Sequence, residues 1–167
     1  FQIGYLLNFI IKNKNNSLPN NISAELSKPY FHNIFNDKYK LHCLLAITSI
    51  LNVSIIEGQK IKGLFTISRK IIEILSIEDK WLVDFYLYLL NLLKLIGYEI
   101  DFTNNFSKNY FNLKTLQFEE TERSASVIFP HNLLIKKEII NSKNANSFFK
   151  IFEHILQNHH LNNMNLN

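Results

Sequence analysis

The chain has 167 residues, of which 47% are apolar, so one domain, or one domain with a piece of another, can bury a core without staples, and wholesale disorder is excluded. A formal charge of +4 and a pI near 9.1 permit nucleic-acid binding without demanding it. The single cysteine, Cys43, excludes an intrachain disulfide and a cysteine-based zinc site; it lies in an apolar run and is expected in the core of a protein from a reducing compartment.

Residues 1–27 read differently from the rest. Tyr5 to Ile11 is an apolar, β-prone run, residues 12–17 (KNKNNS) read as a turn, and Asn21 to Leu26 fits a second short strand. Two strands alone do not make a stable sheet, so their partners are expected in upstream sequence or on the helical part. Pro29 marks the boundary, and residues 28–167 form the second unit, which is mainly helical.

A short helix is predicted over Tyr30 to Phe35. Asp37 is placed to cap the next, from Lys38 to about Val53, which is apolar nearly all round and is expected at the centre of the bundle. Gln59 to Leu75 is amphipathic. Ile61, Leu64, Phe65, Ser68, Ile71, Ile72 and Leu75 share the expected core side; Lys62, Thr66, Arg69, Lys70 and Glu73 fall on the other. Ser76 and Asp79 resemble a capping box that opens a helix from Ile77 to Ile96. Asp84, Tyr88, Asn91 and Lys94 are its polar stripe, with Asp84 and Tyr88 read as a satisfied seam, and Gly97 supplies its left-handed stop.

Asp101 to Asn109 reads as a polar loop. Tyr110 to Phe118 and Ser124 to Phe129 read as two short extended segments around the acidic residues 119–122, taken as a solvated turn. The last helix is predicted from Ala145 to His160, with Phe148, Phe152, Ile155 and Leu156 facing the core and the Asn-rich end frayed.

Catalytic signatures are absent: there is no Walker loop, no GxGxxG and no GxSxG. His154, His159 and His160 near Glu153 invite a metal reading. A HExxH pair sits four residues apart on one helix face, whereas the spacing here is five or six and the order is Glu-His, so an exposed polar helix end is the better reading. No catalytic residue, no metal site and no cofactor is assigned. The basic residues carry the positive hint. Lys12 and Lys14 sit at the strand turn; Lys62, Arg69 and Lys70 share one helix face; Arg69 and Arg123 are the only arginines, the better fork for phosphate. No hydrophobic run is long and uncharged enough to span a bilayer, and no signal peptide is evident, so a cytoplasmic protein is expected.

The order of these segments resembles the bacterial DNA repair protein family RecO, especially its alphaproteobacterial versions. Phe1-Gln2-Ile3-Gly4 resembles the family's FQ-x-G segment in its N-terminal OB domain. Tyr5 to Ile11 with residues 22–26 (ISAEL) resembles the last strands of that barrel. Leu44 to Leu51 resembles the small-residue helix that follows, and Ile56-Glu57 a Glu-containing bend. The most telling stretch is Trp81-Leu82, Phe85, Leu89, Leu92-Leu93, Ile96-Gly97-Tyr98 and Ile100-Asp101, which is similar to an aromatic-rich helix ending in L-G-[FY]-x-[LI]-D. Residues 110–115 (YFNLKT) resemble a Y-V-S-P-K-S segment, Phe129-Pro130 with Leu133-Leu134 a later L-P-x-x-L-L, and Phe152 to His160 the final helix. The proline and glycine of Y-V-S-P-K-S-G are Leu113 and Leu116 here, which puts that turn in question. The cysteine cluster that binds zinc in some RecO proteins is missing, which implies a metal-free version.

The resemblance implies a mainly α fold: a helical bundle preceded by the last strands of an incomplete OB-fold barrel. It implies a recombination mediator without enzymatic activity, nucleoid-associated. Such a protein binds single- and double-stranded DNA, the C-terminal tail of single-stranded-DNA-binding protein (SSB) and RecR, anneals strands, and helps to load RecA. The alternatives are a generic helical interaction or regulatory domain, and an enzyme whose pocket would join distant residues such as Asp84, Lys94 and His154.

Overall fold

The computed structural model describes residues 2–12, 21–102, 105, 107–135 and 141–164. The chain opens with an antiparallel hairpin of β1 (Tyr5–Lys12) and β2 (Asn21–Pro29), so the second strand runs three residues past Leu26, up to the proline. A bulge between Leu6 and Leu7 shifts the register; beyond it Leu7 pairs with Leu26, Phe9 with Ala24 and Ile11 with Ile22. Side chains alternate along a strand, so these six apolar residues share one face, and Asn8, Ile10, Lys12, Asn21, Ser23 and Glu25 share the other. Toward its tip the apolar face is open among the described residues: Phe9, Ile11 and Ile22 are 62%, 60% and 63% exposed. The root of the hairpin is held more firmly. Gly4, at φ +85, lets the backbone pass so close to Leu44 and Phe31 that an added Cβ would lie 3.0 Å from the Leu44 side chain.

Helix α1 (Tyr30–Ile34) follows directly, because Pro29 ends the strand and favours a helix start after it. Asp37 caps α2 (Lys38–Ser54): its Oδ1 accepts the backbone N–H groups of Tyr39 and Lys40 at 2.9 and 3.1 Å. Contrary to the expectation of a central helix, α2 is buried along one side only, through Cys43, Leu44 and Ile47, while Leu45 and Val53 face outward. Its apolar composition therefore overstates its burial. Burial pushes the Cys43 thiol up to about 12, because a thiolate in the core would lose its hydration.

Helix α3 (Leu64–Ile77) starts later than the periodicity suggests, since Gly63, at φ +88, breaks the chain just before it. The capping box is not formed. Ser76 is buried inside the end of α3 and donates its hydroxyl to the Glu73 carbonyl at 2.8 Å, and α4 (Leu82–Leu95) begins only at Leu82, after Trp81. A serine in the last turn of a helix can bond backward along it, and this contact wins over a forward cap. Helix α4 is the centre of the core: Phe85, Tyr86, Tyr88, Leu89, Leu92 and Leu93 are buried on it. It ends as expected. Gly97, at φ +111, allows Tyr98 N–H to reach the Leu93 carbonyl at 2.9 Å and its own N–H to reach Lys94 at 3.2 Å, a Schellman closure.

Three short strands follow, one more than the sequence suggests: β3 (Tyr110–Asn112) lies between β4 (Gln117–Glu119) and β5 (Ser126–Ile128), antiparallel to both. They are held by an aromatic cluster in which Phe102, Phe111, Phe118 and Phe129 have ring centroids 5.1–6.0 Å apart. Leu116 sits at φ +55, so the position where the resembling family has glycine is left-handed here and occupied by leucine. A short helix α5 (Asn132–Ile135) precedes α6 (Ser142–His154), capped by Asn141, whose Oδ1 accepts from Asn144 N–H at 2.8 Å. The same rod continues as a π-helical segment (Ile155–Leu161) and one last turn, α7 (Asn162–Met164). Phe148, Phe152, Ile155 and Leu156 are buried as their spacing predicts, and Phe148 packs on Tyr86 of α4 at 4.5 Å between ring centroids. The three last residues of the expected frayed end lie outside the described residues.

No helix among the described residues is long and apolar enough to cross a membrane.

Candidate nucleic-acid interface

The exposed side of α3 carries Arg69 and Lys70. On an α-helix, residues four apart stack into rows. One row is Thr66 and Lys70; the adjacent one is Phe65, Arg69 and Glu73; Lys62, expected on the same helix face, instead lies before the helix, on the turn that ends at Gly63. Lys62, Phe65, Thr66, Arg69 and Lys70 are all exposed. The core-facing residues Ile71 and Leu75 fix the rotation of the helix, and so turn these rows outward. Among the described residues, none of Lys62, Arg69 and Lys70 forms an ion pair, so their charges are available to an anion.

Phe65 corrects the sequence reading. It was expected to share the core side of α3 with Leu64, yet it is 66% exposed beside Arg69. At about 100° per residue, Phe65 lies nearer to Arg69 than to the centre of the buried arc set by Ile71 and Leu75. The apolar sequence window was wider than the surface available to cover it.

The hairpin meets this face. Lys28 of β2 reaches Glu73 with its Nζ 3.8 Å from the carboxylate, and the same ammonium lies 5.7 Å from the centroid of the Tyr30 ring. Lys28 thus extends the basic face toward the hairpin and screens its one acidic member. Nothing in the sequence signals this pairing, because Lys28 and Glu73 are about forty-five positions apart and only packing brings them together. Lys12 is exposed at the far end of β1; Lys14 lies outside the described residues.

Arg123 is elsewhere, on the crossover from β4 to β5. Its Nη1 lies 3.6 Å from Glu119, whose carboxylate also accepts from Asn112 Nδ2 at 3.1 Å and Ser126 Oγ at 2.8 Å. Glu119 is therefore not part of a solvated turn. It is a mostly covered strand residue that ties three segments together, while Glu120 and Glu122 are exposed. The structure does not join Arg123 to the α3 face by any contact.

A groove of about 180 Å³ runs between α3 and α4, lined by Ile67, Ile71, Ile74, Leu87 and Tyr88 with Lys70, Asp84 and Asn91 at its rim. The partner of Tyr88 is Ser68, with the hydroxyls 3.4 Å apart, rather than Asp84. Burial holds the Tyr88 phenol above its usual value, the Ser68 contact offsetting part of that rise. Lys94 lines a separate cavity of about 440 Å³ with Glu99, Asp101 and Phe102, and His154 lines neither. The set Asp84, Lys94 and His154 does not converge.

The C-terminal histidines also separate. His154 contacts Asn158 at 2.9 Å and has its ring 5.5 Å from that of His159, whereas His160 turns inward to the Ser54 carbonyl and packs edge-on against Tyr98. The reading of an exposed polar end therefore fails for His160. Among the described residues, no three His, Cys, Asp or Glu side chains gather as a metal site.

Comparison with known proteins gives one family. Residues 36–116, from the end of α1 through the turn at Leu116, match the family model described as Recombination protein O C terminal. Neither the curated proteins nor the solved structures yield a significant match. The matched segment contains α2, α3 and α4, and with them Lys62, Phe65, Arg69 and Lys70 and both walls of the groove. Over residues 36–116 the chain is RecO-like, similar to the C-terminal region of the recombination protein O family.

Proposed function

We propose that this protein is a DNA recombination and repair mediator that binds DNA through the exposed face of α3. The observation that carries the reading is the pair of exposed cations Arg69 and Lys70 on α3, with Lys62 exposed on the turn before it, none of them in an ion pair among the described residues and all within the RecO-matched segment. Lysine and arginine side chains neutralise phosphates and release counterions, which is the sequence-independent part of DNA affinity. Lys12, Lys14 and Arg123 are secondary contacts in this reading. Mediation makes and breaks no bond, so the protein acts by binding and not as an enzyme.

The hairpin fits the last strands of an OB barrel, with residues 1–27 as the remainder of that domain and 28–167 as the helical one. Its support is the uniform apolar face of Leu7, Phe9, Ile11, Ile22, Ala24 and Leu26, which suits a barrel interior and is open toward its tip among the described residues. The α3–α4 groove fits the acidic C-terminal tail of SSB: aliphatic walls take an apolar terminus and Lys70 takes its charge, with Asp84 opposing at the far rim. Binding of RecR, strand annealing, help in loading RecA and a place at the nucleoid in the cytoplasm complete the reading.

The test is fluorescence anisotropy of labelled single- and double-stranded DNA and of a labelled acidic tail peptide, against the intact chain over a salt series. The reading expects affinity for DNA that falls steeply with salt, and a slope reduced by about one for each of Lys62→Gln, Arg69→Gln and Lys70→Gln. A folded protein that binds neither DNA nor peptide would leave the second reading, a helical interaction domain.

A further inference from the structure

We infer that Phe65 is a base-stacking residue and that the α3 face is built for unpaired nucleic acid rather than for duplex. This rests on the DNA-binding reading above and adds the ligand's form. Phe65 is one of several exposed aromatic residues, with Phe9, Phe35 and Tyr39, and the one that lies a single turn from Arg69 on α3. It stands 66% exposed, one turn before Arg69, on the exposed side of α3. The row Phe65, Arg69, Glu73 spans about 12 Å at 1.5 Å per residue, roughly the length of two nucleotides of an extended strand. Along that line the helix offers an aromatic ring, a guanidinium that can both pair with phosphate and stack on a base, and then the ammonium of Lys28 over Glu73.

A flat ring beside cations suits a strand whose bases are free to turn toward the protein. Bases stack on aromatic side chains irrespective of sequence while the backbone follows the charges. In duplex DNA the base faces are occupied by their neighbours, so Phe65 would meet only sugar and phosphate and contribute nothing. An acidic peptide or a second copy of the chain would also cover a phenylalanine. The charge on this face favours a polyanion over a second copy carrying the same cations, and the aliphatic groove on the other side of Lys70 is the better seat for a peptide.

The experiment compares wild type, Phe65→Ala, Phe65→Trp and Arg69→Gln in binding to a labelled oligothymidine and to a duplex of equal length. Circular dichroism first checks that each variant is folded, which the exposure of both side chains favours. Phe65→Ala should weaken single-strand binding about tenfold, within the range for one stacked base, with an unchanged salt slope and duplex binding within about twofold. Phe65→Trp should restore single-strand affinity, and its indole emission should be quenched by the oligonucleotide beyond the response of wild type, whose one native tryptophan is Trp81. Arg69→Gln should lower the slope on both ligands. Equal loss on single strand and duplex, no loss on either, or a change only in peptide binding or self-association would overturn the inference while leaving DNA binding itself intact. If wild type binds no DNA, the proposed function falls first and this inference with it.

Discussion

The Nε2 of His160 lies 2.8 Å from the backbone carbonyl oxygen of Ser54, joining residues 106 positions apart. Ser54 ends α2, where carbonyls lack partners within the helix, and its hydroxyl already turns back to Ile50. His160 lies in the π-helical segment, whose wider turn changes the facing of each residue after Ile155. The contact closes the bundle by bringing the last rod of the chain onto the helix that leads to the basic face of α3.

His160→Ala should therefore destabilise the whole domain. The loss expected is about 1–2 kcal/mol, from a vacated carbonyl and a lost ring contact with Tyr98. For a chain of this size that corresponds to a fall in Tm of roughly 3–6 °C. Calorimetry on the variant checks it; an unchanged Tm would mean that water satisfies the Ser54 carbonyl equally well.

Asp37→Ala should cost about 1 kcal/mol, because two N–H groups at the start of α2 lose their acceptor. Asp37→Asn or Asp37→Ser should recover most of it. Urea denaturation would show the ordering directly, with the same slope and a shifted midpoint.

Ala125 sits at φ +67, and Ala125→Gly should stabilise by roughly 0.5 kcal/mol: the left-handed region costs a side chain about 1–2 kcal/mol, part of which returns as glycine's greater freedom in the unfolded chain. Leu116→Gly, at φ +55, should do worse than Ala125→Gly, because the leucine side chain also packs against the core. If Leu116→Gly proves the more stable of the two, its packing contributes little.

The Cys43 thiol should resist labelling in the native protein at pH 8 and react fully in denaturant. Its linkage has a definite sign. The unfolded thiol ionises from about 9.0, while the folded one stays protonated until about 12, so the folded state binds more protons in between. Its contribution to stability is complete below pH 9.0 and is lost as pH rises toward 12, and the buried phenols of Tyr86 and Tyr88 act in the same direction. Denaturation midpoints that rise between pH 9 and pH 10.5 would contradict this.

The sequence by itself determined most of the local structure. A β-prone apolar run marked β1, Asp37 marked the start of α2, Gly97 the end of α4, and the spacing of Phe148, Phe152, Ile155 and Leu156 the buried side of the last rod. These are short-range effects: the period of the backbone, a carboxylate within reach of two N–H groups, a residue without a Cβ. The order of motifs also pointed to the family that residues 36–116 match. Tertiary structure decided what depends on the supply of covering surface and on distant partners. Ser76 bonded backward instead of capping forward, Glu119 became the anchor of three segments, and Lys28 met Glu73 across the fold. Phe65 is the clearest case, because hydropathy states only that a side chain would gain from burial, and whether anything lies above it is set by the packing of the other helices.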